Sequence, residues 1–226
     1  MEHILDNPVW NALITGNKAL ANGESTARYL SPEVSPFVGI ESISDDNFNA
    51  LNTAIPFAGY FGFVAPYDIV FPAPWQVVQP LKVLQMVYEG LTDVGQIKEE
   101  FISLDKEHVP QMLALTKLTN PGPFAERTME FGHYVGIFDG DKLVAMAGQR
   151  MNPVPYAEIS AVCTHPDYLG RGYASQLLLF HINRIKMAGQ IPFLHVKADN
   201  ERAIQVYERL GFVKRKEMSF YIIKKD

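Results

Sequence analysis

The stretch Glu158-Ile159-Ser160-Ala161-Val162-Cys163-Thr164-His165-Pro166-Asp167-Tyr168-Leu169-Gly170-Arg171-Gly172-Tyr173-Ala174 constrains this chain more than any other. It reads as a strand, a short loop and a glycine turn that opens a helix from Ser175 to Ala188. Gly170 and Gly172 reach backbone angles at which successive N–H groups converge, and they place no Cβ between those groups and a ligand. The turn aims unpaired N–H groups and the positive end of a helix dipole at whatever lies in front of it, which predicts an anion and above all a phosphate. Gly-x-Gly also makes ordinary turns, so the spacing alone does not separate a phosphate cradle from a bend.

Composition narrows the class of protein. Hydrophobic residues make up 47% of the 226 positions and charged residues 20%, the balance of a water-soluble globular chain. No apolar run approaches the roughly 20 residues of a membrane span. The opening Met1-Glu2-His3-Ile4-Leu5-Asp6 lacks the basic and apolar regions of a signal peptide, so a cytoplasmic location is expected. The single cysteine, Cys163, excludes an internal disulfide and a multi-cysteine metal site, and no metal is expected. Residues 1–96 carry three basic and ten acidic side chains, whereas 97–226 carry 17 and 15, so the second part suits an anionic small ligand better. A net charge of −5 without a basic stripe argues against nucleic acid as a partner.

Along the chain, Asn7-Pro8 opens a helix to about Ala21 with Val9, Leu13 and Leu20 on one face. Phe37 to Ile40 and Gly59 to Val64 read as strands, and Ser44 caps a helix from Asp45 to Leu51. Pro66, Pro72, Pro74 and Pro80 should break regular structure before a strand from Leu81 to Tyr88. The polar segment Glu89 to Gly95 is the expected boundary between an N-terminal α/β accessory domain, 1–95, and a second domain, 96–226.

That second part predicts strand Ile97–Leu104, helix Asp105–Leu118, a short helix Ala125–Phe131, strands Tyr134–Phe138 and Leu143–Arg150 about a hairpin turn, and strand Glu158–Thr164. After the glycine turn and its helix come strand Ile191–Val196, a helix capped at Asp199 or Asn200, and two closing strands, Phe212–Lys214 and Ser219–Ile223. The order is β-α-α-β-β-β-α-β-α-β-β.

This order resembles the GNAT superfamily of acyl-CoA-dependent N-acetyltransferases, and the two-part layout is similar to its glycine N-acyltransferase-like branch. The resemblance covers about residues 97–226. It is carried by Glu158 to Val162, by Leu169-Gly170-Arg171-Gly172-Tyr173-Ala174, by Phe193-Leu194-His195-Val196, and by Asn200 to Phe212, which matches Asn-x-x-Ala-x-x-x-Tyr-x-x-x-Gly-Phe. Leu169 departs from the family's Arg or Gln, which puts pre-organisation of the loop in question more than the site itself. The resemblance implies a mixed, mostly antiparallel twisted sheet flanked by helices, acetyl-CoA as donor, and a small-molecule or peptide amine as acceptor.

By the same resemblance, Val162, Cys163 and Thr164 would meet the pantetheine arm. Gly170, Arg171, Gly172, Tyr173, Ala174 and Ser175 would hold the pyrophosphate, and Asn200 would bind near the thiol. Arg171 or Lys197 could meet outer phosphates. Tyr207 would protonate the departing thiolate and Glu158 would serve as base. Tyr207 as a core aromatic and Glu158 as a solvated strand-edge carboxylate are the competing readings. His133, His165 and His195 are further proton acceptors with structural alternatives, and Glu126 and Arg127 are candidate substrate contacts. A non-catalytic acyl-CoA-binding module shares the glycine turn and differs in what it needs of Glu158 and Tyr207. A Rossmann site is disfavoured, because Thr164 to Leu169 separates strand from glycines.

Overall fold

The computed structural model describes residues 3–90 and 96–226. Along the chain run α1 (Pro8–Ile14), β1 (Ala21–Asn22), β2 (Ala27–Leu30), β3 (Val38–Ile40), α2 (Asp45–Ala54), β4 (Gly59–Ala65), β5 (Gln76–Tyr88), β6 (Ile102–Ser103), α3 (Val109–Thr119), β7 (Val135–Asp139), β8 (Lys142–Gln149), β9 (Tyr156–Thr164), α4 (Tyr173–Met187), β10 (Ile191–Lys197), α5 (Glu201–Arg209) and β11 (Phe212–Lys225). Eight strands form one sheet in the order β4-β11-β5-β10-β9-β8-β7-β6, and β1, β2 and β3 form a small sheet of their own. All pairs in the large sheet are antiparallel except β9 with β10. The mixed, mostly antiparallel sheet flanked by helices is the fold class that the sequence predicts.

Period-two alternation assigns the two faces of the sheet. Leu194, Val196 and Met86 pack with Leu178 and Ile182 of α4 and Ile204 of α5. Phe193, Val83 and Met218 turn the other way, against Leu5, Val9 and Leu13 around α1. Each such side chain, fully buried, contributes about 1.5–3 kcal/mol, which is what holds the short N-terminal helix to the sheet.

Several elements differ from the sequence reading. The helix begun at Pro8 stops at Ile14, where the Asn17 N–H bonds back to the Ala12 carbonyl at 2.8 Å. Pro80 lies inside β5 rather than breaking it. Strand β10 covers only Val83–Val87 of that strand, so Pro80 sits where one edge is open and a missing N–H is tolerated. The strand expected over Ile97–Leu104 shrinks to Ile102–Ser103, and the helix expected over Ala125–Phe131 is a single 3-10 turn, Thr128–Phe131. Thr128 ties that turn to the N-terminal segment, accepting from the Ala125 N–H at 2.7 Å and donating to the Val34 carbonyl at 2.6 Å. The two expected closing strands are one, β11, with a bulge between Lys214 and Lys216.

The boundary segment Glu89 to Gly95 runs into 91–95, which lie outside the described residues. The strands on either side of it share one sheet. In particular β5, from the N-terminal part, lies between β10 and β11.

Candidate active site

Strand β9, its following loop and α4 build a turn rimmed by backbone N–H groups, the candidate anion site. Gly170 and Gly172 have φ of +80° and +83°, and a Cβ at either would project into open space. Gly172 is the N-cap of α4 and offers no side chain to the helix end, and the first turn carries no acidic residue. The Gln176 N–H bonds to the Gly172 carbonyl at 3.1 Å, leaving those of Tyr173, Ala174 and Ser175 ahead of the first helical bond. They face a cavity of about 460 Å³ that Arg202 and Arg209 of α5 also line. This set fits a pyrophosphate, since free N–H groups, a helix dipole and two guanidinium groups all favour the same sign. Arg171 lies over the Tyr168 ring at 4.6 Å, and the Tyr168 hydroxyl donates to Asp139 at 2.6 Å. These contacts brace the loop at the place where Leu169 is exposed.

The second part of the site is a gap between parallel strands. The ladder joining β9 to β10 ends at Glu158 and Phe193. Beyond that point β9 pairs only with β8, and β10 only with β5, so each keeps an unpaired edge toward the gap. Ala161, at φ +52°, and a register shift opposite Met146 and Gly148 mark a bulge that re-aims the β9 backbone there. The gap is a cavity of about 470 Å³ lined by Ile159 to Thr164, His195 to Lys197 and the loop Thr119-Asn120-Pro121, among others. Val162, Cys163, Thr164, Asn200 and Tyr207 line both cavities and so mark where they meet.

At that junction Asn200 caps α5 through its carbonyl, which accepts from the Ala203 N–H at 3.1 Å, and its NH₂ is left for a ligand. The Tyr207 hydroxyl makes no hydrogen bond among the described residues, and burial pushes its pKa up to about 12. Tyr207 therefore keeps its proton at neutral pH and can donate it. Cys163 is buried, its thiol is pushed by that burial up to about 12, and it donates to the Ala161 carbonyl at 3.3 Å. The native protein should resist alkylation by iodoacetamide at pH 7.5 and react fully once denatured, which mass spectrometry can check.

Glu158 is not where a proton acceptor is useful. It is wholly buried, with Arg150 clamping both oxygens at 2.6 and 2.9 Å, the His195 Nδ1 at 2.7 Å and the Met151 N–H at 3.2 Å. Burial alone would raise its pKa; Arg150 and His195 outweigh burial and hold the carboxylate well below its usual range. Glu158 thus anchors Arg150 and His195, and it would have to give up these partners before accepting a proton as the expected base. His195 is committed as well. Gln85 from β5 accepts from Arg215 at 2.7 Å and donates to the Leu5 carbonyl at 2.9 Å, which turns its NH₂ toward His195 Nε2 at 3.1 Å. His195 is thus fixed with Nδ1–H on Glu158 and Nε2 accepting. Arg215 in turn holds Asp6 at 2.7 Å, so a polar chain crosses the sheet from Arg150 to the N-terminal segment.

Other expected contacts are not at the cleft. Glu126 and Arg127 line neither cavity; Arg127 is forked onto Glu130 at 2.6 and 2.9 Å. His165 caps the turn at Pro166 by accepting from the Asp167 N–H at 3.3 Å, and His133 is exposed in a positive-φ bend outside both cavities. Lys197 lines the strand gap and not the phosphate cradle. Among the described residues no group of three or more His, Cys, Asp or Glu could hold a metal ion.

Comparison with known proteins agrees with this geometry. The model of FR47-like proteins matches residues 134–221. A crystal structure of a putative acetyltransferase from the GNAT family of Novosphingobium aromaticivorans superposes with a TM-score of 0.91 at 34% identity, over 100% of both chains. The chain belongs to the GNAT family. Among curated relatives, 84 residues are 34% identical to the N-alpha-acetyltransferase RimI of Mycobacterium tuberculosis, covering 35% of this chain and 51% of that one. The chain thus spans about half the length of that relative. A GCN5-related N-acetyltransferase of Kribbella flavida, 13% identical with a TM-score of 0.59 over 95% of both chains, shares the fold.

Within the GNAT fold, residues invisible to motif reading now have places. Arg202 and Arg209 reach the phosphate cradle because they follow Asn200 on the same helix, a signal available in their spacing. Arg150 follows the end of β8, Gln85 lies in β5 and Arg215 in β11, and nothing local in the sequence pairs them with Glu158 or His195.

Proposed function

We propose that this GNAT protein transfers an acetyl group from acetyl-CoA to a primary amine by direct attack. The observation that carries the reading is the junction: a phosphate cradle and a strand gap meet at Tyr207, whose hydroxyl is free and protonated. Backbone N–H groups on the open edge of β9 are placed to polarise a thioester carbonyl. The neutral amine nitrogen bonds to the carbonyl carbon, the C–S bond breaks, and the sulfur takes the Tyr207 proton. The proton shed by the amine leaves to solvent, from which Tyr207 is reprotonated. With Glu158 and His195 both committed, no side chain is assigned as base, and the amine must reach the cleft unprotonated. Residues 96–226 hold the catalytic unit, and 1–95 act as an accessory layer that lends it β4 and β5. A cytoplasmic setting fits the one buried, unpaired cysteine.

Tyr207→Phe is expected to lower kcat by on the order of 10²-fold while leaving acetyl-CoA affinity near that of the parent, the signature of a lost general acid. Free-thiol release and calorimetric titration read the two quantities. A variant with unchanged kcat removes Tyr207 from the chemistry. The locked state of Glu158 favours one second reading, an acyl-CoA-binding module without turnover. Tight acetyl-CoA binding with no thiol released from any amine selects it.

A further inference from the structure

The acceptor end of the cleft has a sign. Three cavities meet there: the strand gap, a slot beside Phe124 and Tyr134, and a pocket of about 130 Å³ walled by apolar side chains including Phe37, Leu81 and Phe220. Arg150 lines all three and Lys197 lines two of them, and neither lines the phosphate cradle. Among the described residues no aspartate or glutamate lines any of the three. Glu158, behind the wall, is wholly buried with its oxygens occupied.

Arg150 gives Nε and Nη2 to Glu158, and its Nη1 has no partner among the described residues. Lys197 is exposed and has no carboxylate within ion-pair distance among the described residues. The phosphate cradle has cations of its own in Arg202 and Arg209. One free guanidinium N–H, on an Arg150 already paired with Glu158, and the Lys197 ammonium are therefore left over beside the apolar pocket, and both can donate to an anion.

We infer that the acceptor is a small amine that carries its own anionic group, a carboxylate or a phosphonate-like group. This inference rests on the acetyl-transfer reading above. The anion lies on Arg150 Nη1 and Lys197, and the apolar body lies toward Phe37 and Phe220. A polyamine or other purely cationic acceptor meets the Lys197 ammonium and finds no free carboxylate among the described lining residues, since Glu158 is spent on Arg150. The same two cations neutralise the pull that the substrate's own anion exerts on its ammonium proton, which suits a site without a base.

The test uses the full chain and four probes of one shape: leucine, leucinamide, isopentylamine and the phosphonate analogue of leucine. At pH 8 the expected kcat/KM for leucine or its phosphonate analogue, taken per unprotonated amine, is at least 10-fold above that of both relatives lacking the anion, and the better of the two names the anion. Lys197→Glu is expected to erase that preference by raising KM for the anionic probes at least 10-fold. Equal or better turnover of leucinamide or isopentylamine overturns the inference. If no amine releases thiol, the acetyl-transfer reading is what fails. Calorimetry on the CoA-loaded chain then reads the site directly: leucine binding at least 10-fold tighter than leucinamide supports an anion site, and equal binding overturns it.

Discussion

Glu158→Gln is expected to destabilise the protein by about 3–5 kcal/mol, because it strips the buried Arg150 guanidinium of its carboxylate and leaves an uncompensated charge. The pH dependence has a definite sign. The Glu158 pKa is lowered on folding from an ordinary value of 4.5, so its contribution is fully present above about that pH. It is lost as pH falls below 4.5 toward the folded-state value. Urea unfolding at pH 7 should show the full gap between parent and variant, and the gap should narrow on acidification. Replacing both partners by apolar residues, Arg150→Met with Glu158→Leu, should recover much of the loss, since neither buried charge is then left unpaired. Activity should fall in Glu158→Gln without the loss of an ionisation from the pH–rate profile. A variant with the parent's urea midpoint and a missing acidic limb would falsify the anchor role and restore Glu158 as base.

Gly172→Val should weaken acetyl-CoA binding by on the order of 100-fold, about 2.7 kcal/mol, while the fold loses only about 1–2 kcal/mol. The two costs have separate origins. The smaller is the strain of φ +83° for a side chain with a branched Cβ. The larger arises because the added atoms enter open space beside the turn, where a Cβ meets nothing within 4 Å and the ligand would lie in this reading. Stability should be read by thermal unfolding without ligand and affinity by calorimetry. CoA lacking its outer phosphate should be weakened to the same degree, since the groups at Tyr173 to Ser175 face the pyrophosphate in this reading. Unchanged affinity would show that the turn is only a bend.

The local backbone of the cleft was legible in the linear chain. Gly170 and Gly172 are readable because only glycine enters the positive-φ region cheaply, and Asn200 because a helix needs a cap. Tyr207 was legible as a residue and ambiguous as a role, since an inward helical position suits a core aromatic equally. Its free hydroxyl at the meeting of two cavities is a tertiary fact. Glu126 and Arg127 lie outside the two main cavities, and the helix expected from Ala125 does not form. Thr128 takes the Ala125 N–H and the Val34 carbonyl instead, a contact across 94 residues that no local pattern reveals.

The sequence by itself determined the segments whose structure depends on near neighbours: the hairpin at Asp139 to Lys142, α4 with its glycine entry, α5 with its cap, and the alternation that sends Leu194 and Phe193 to opposite faces. Only the tertiary structure decided which strands stand side by side and what charge each buried group meets. Strand β5 could be read as a strand, but its insertion between β10 and β11 is a choice among sheet edges. That choice brings Gln85 to His195 and Arg215 to Gln85. Glu158 shows the consequence most plainly. Whether a carboxylate is a base or an anchor depends on whether a cation comes to rest within about 3 Å of it in a site closed to water, and long-range packing alone sets that.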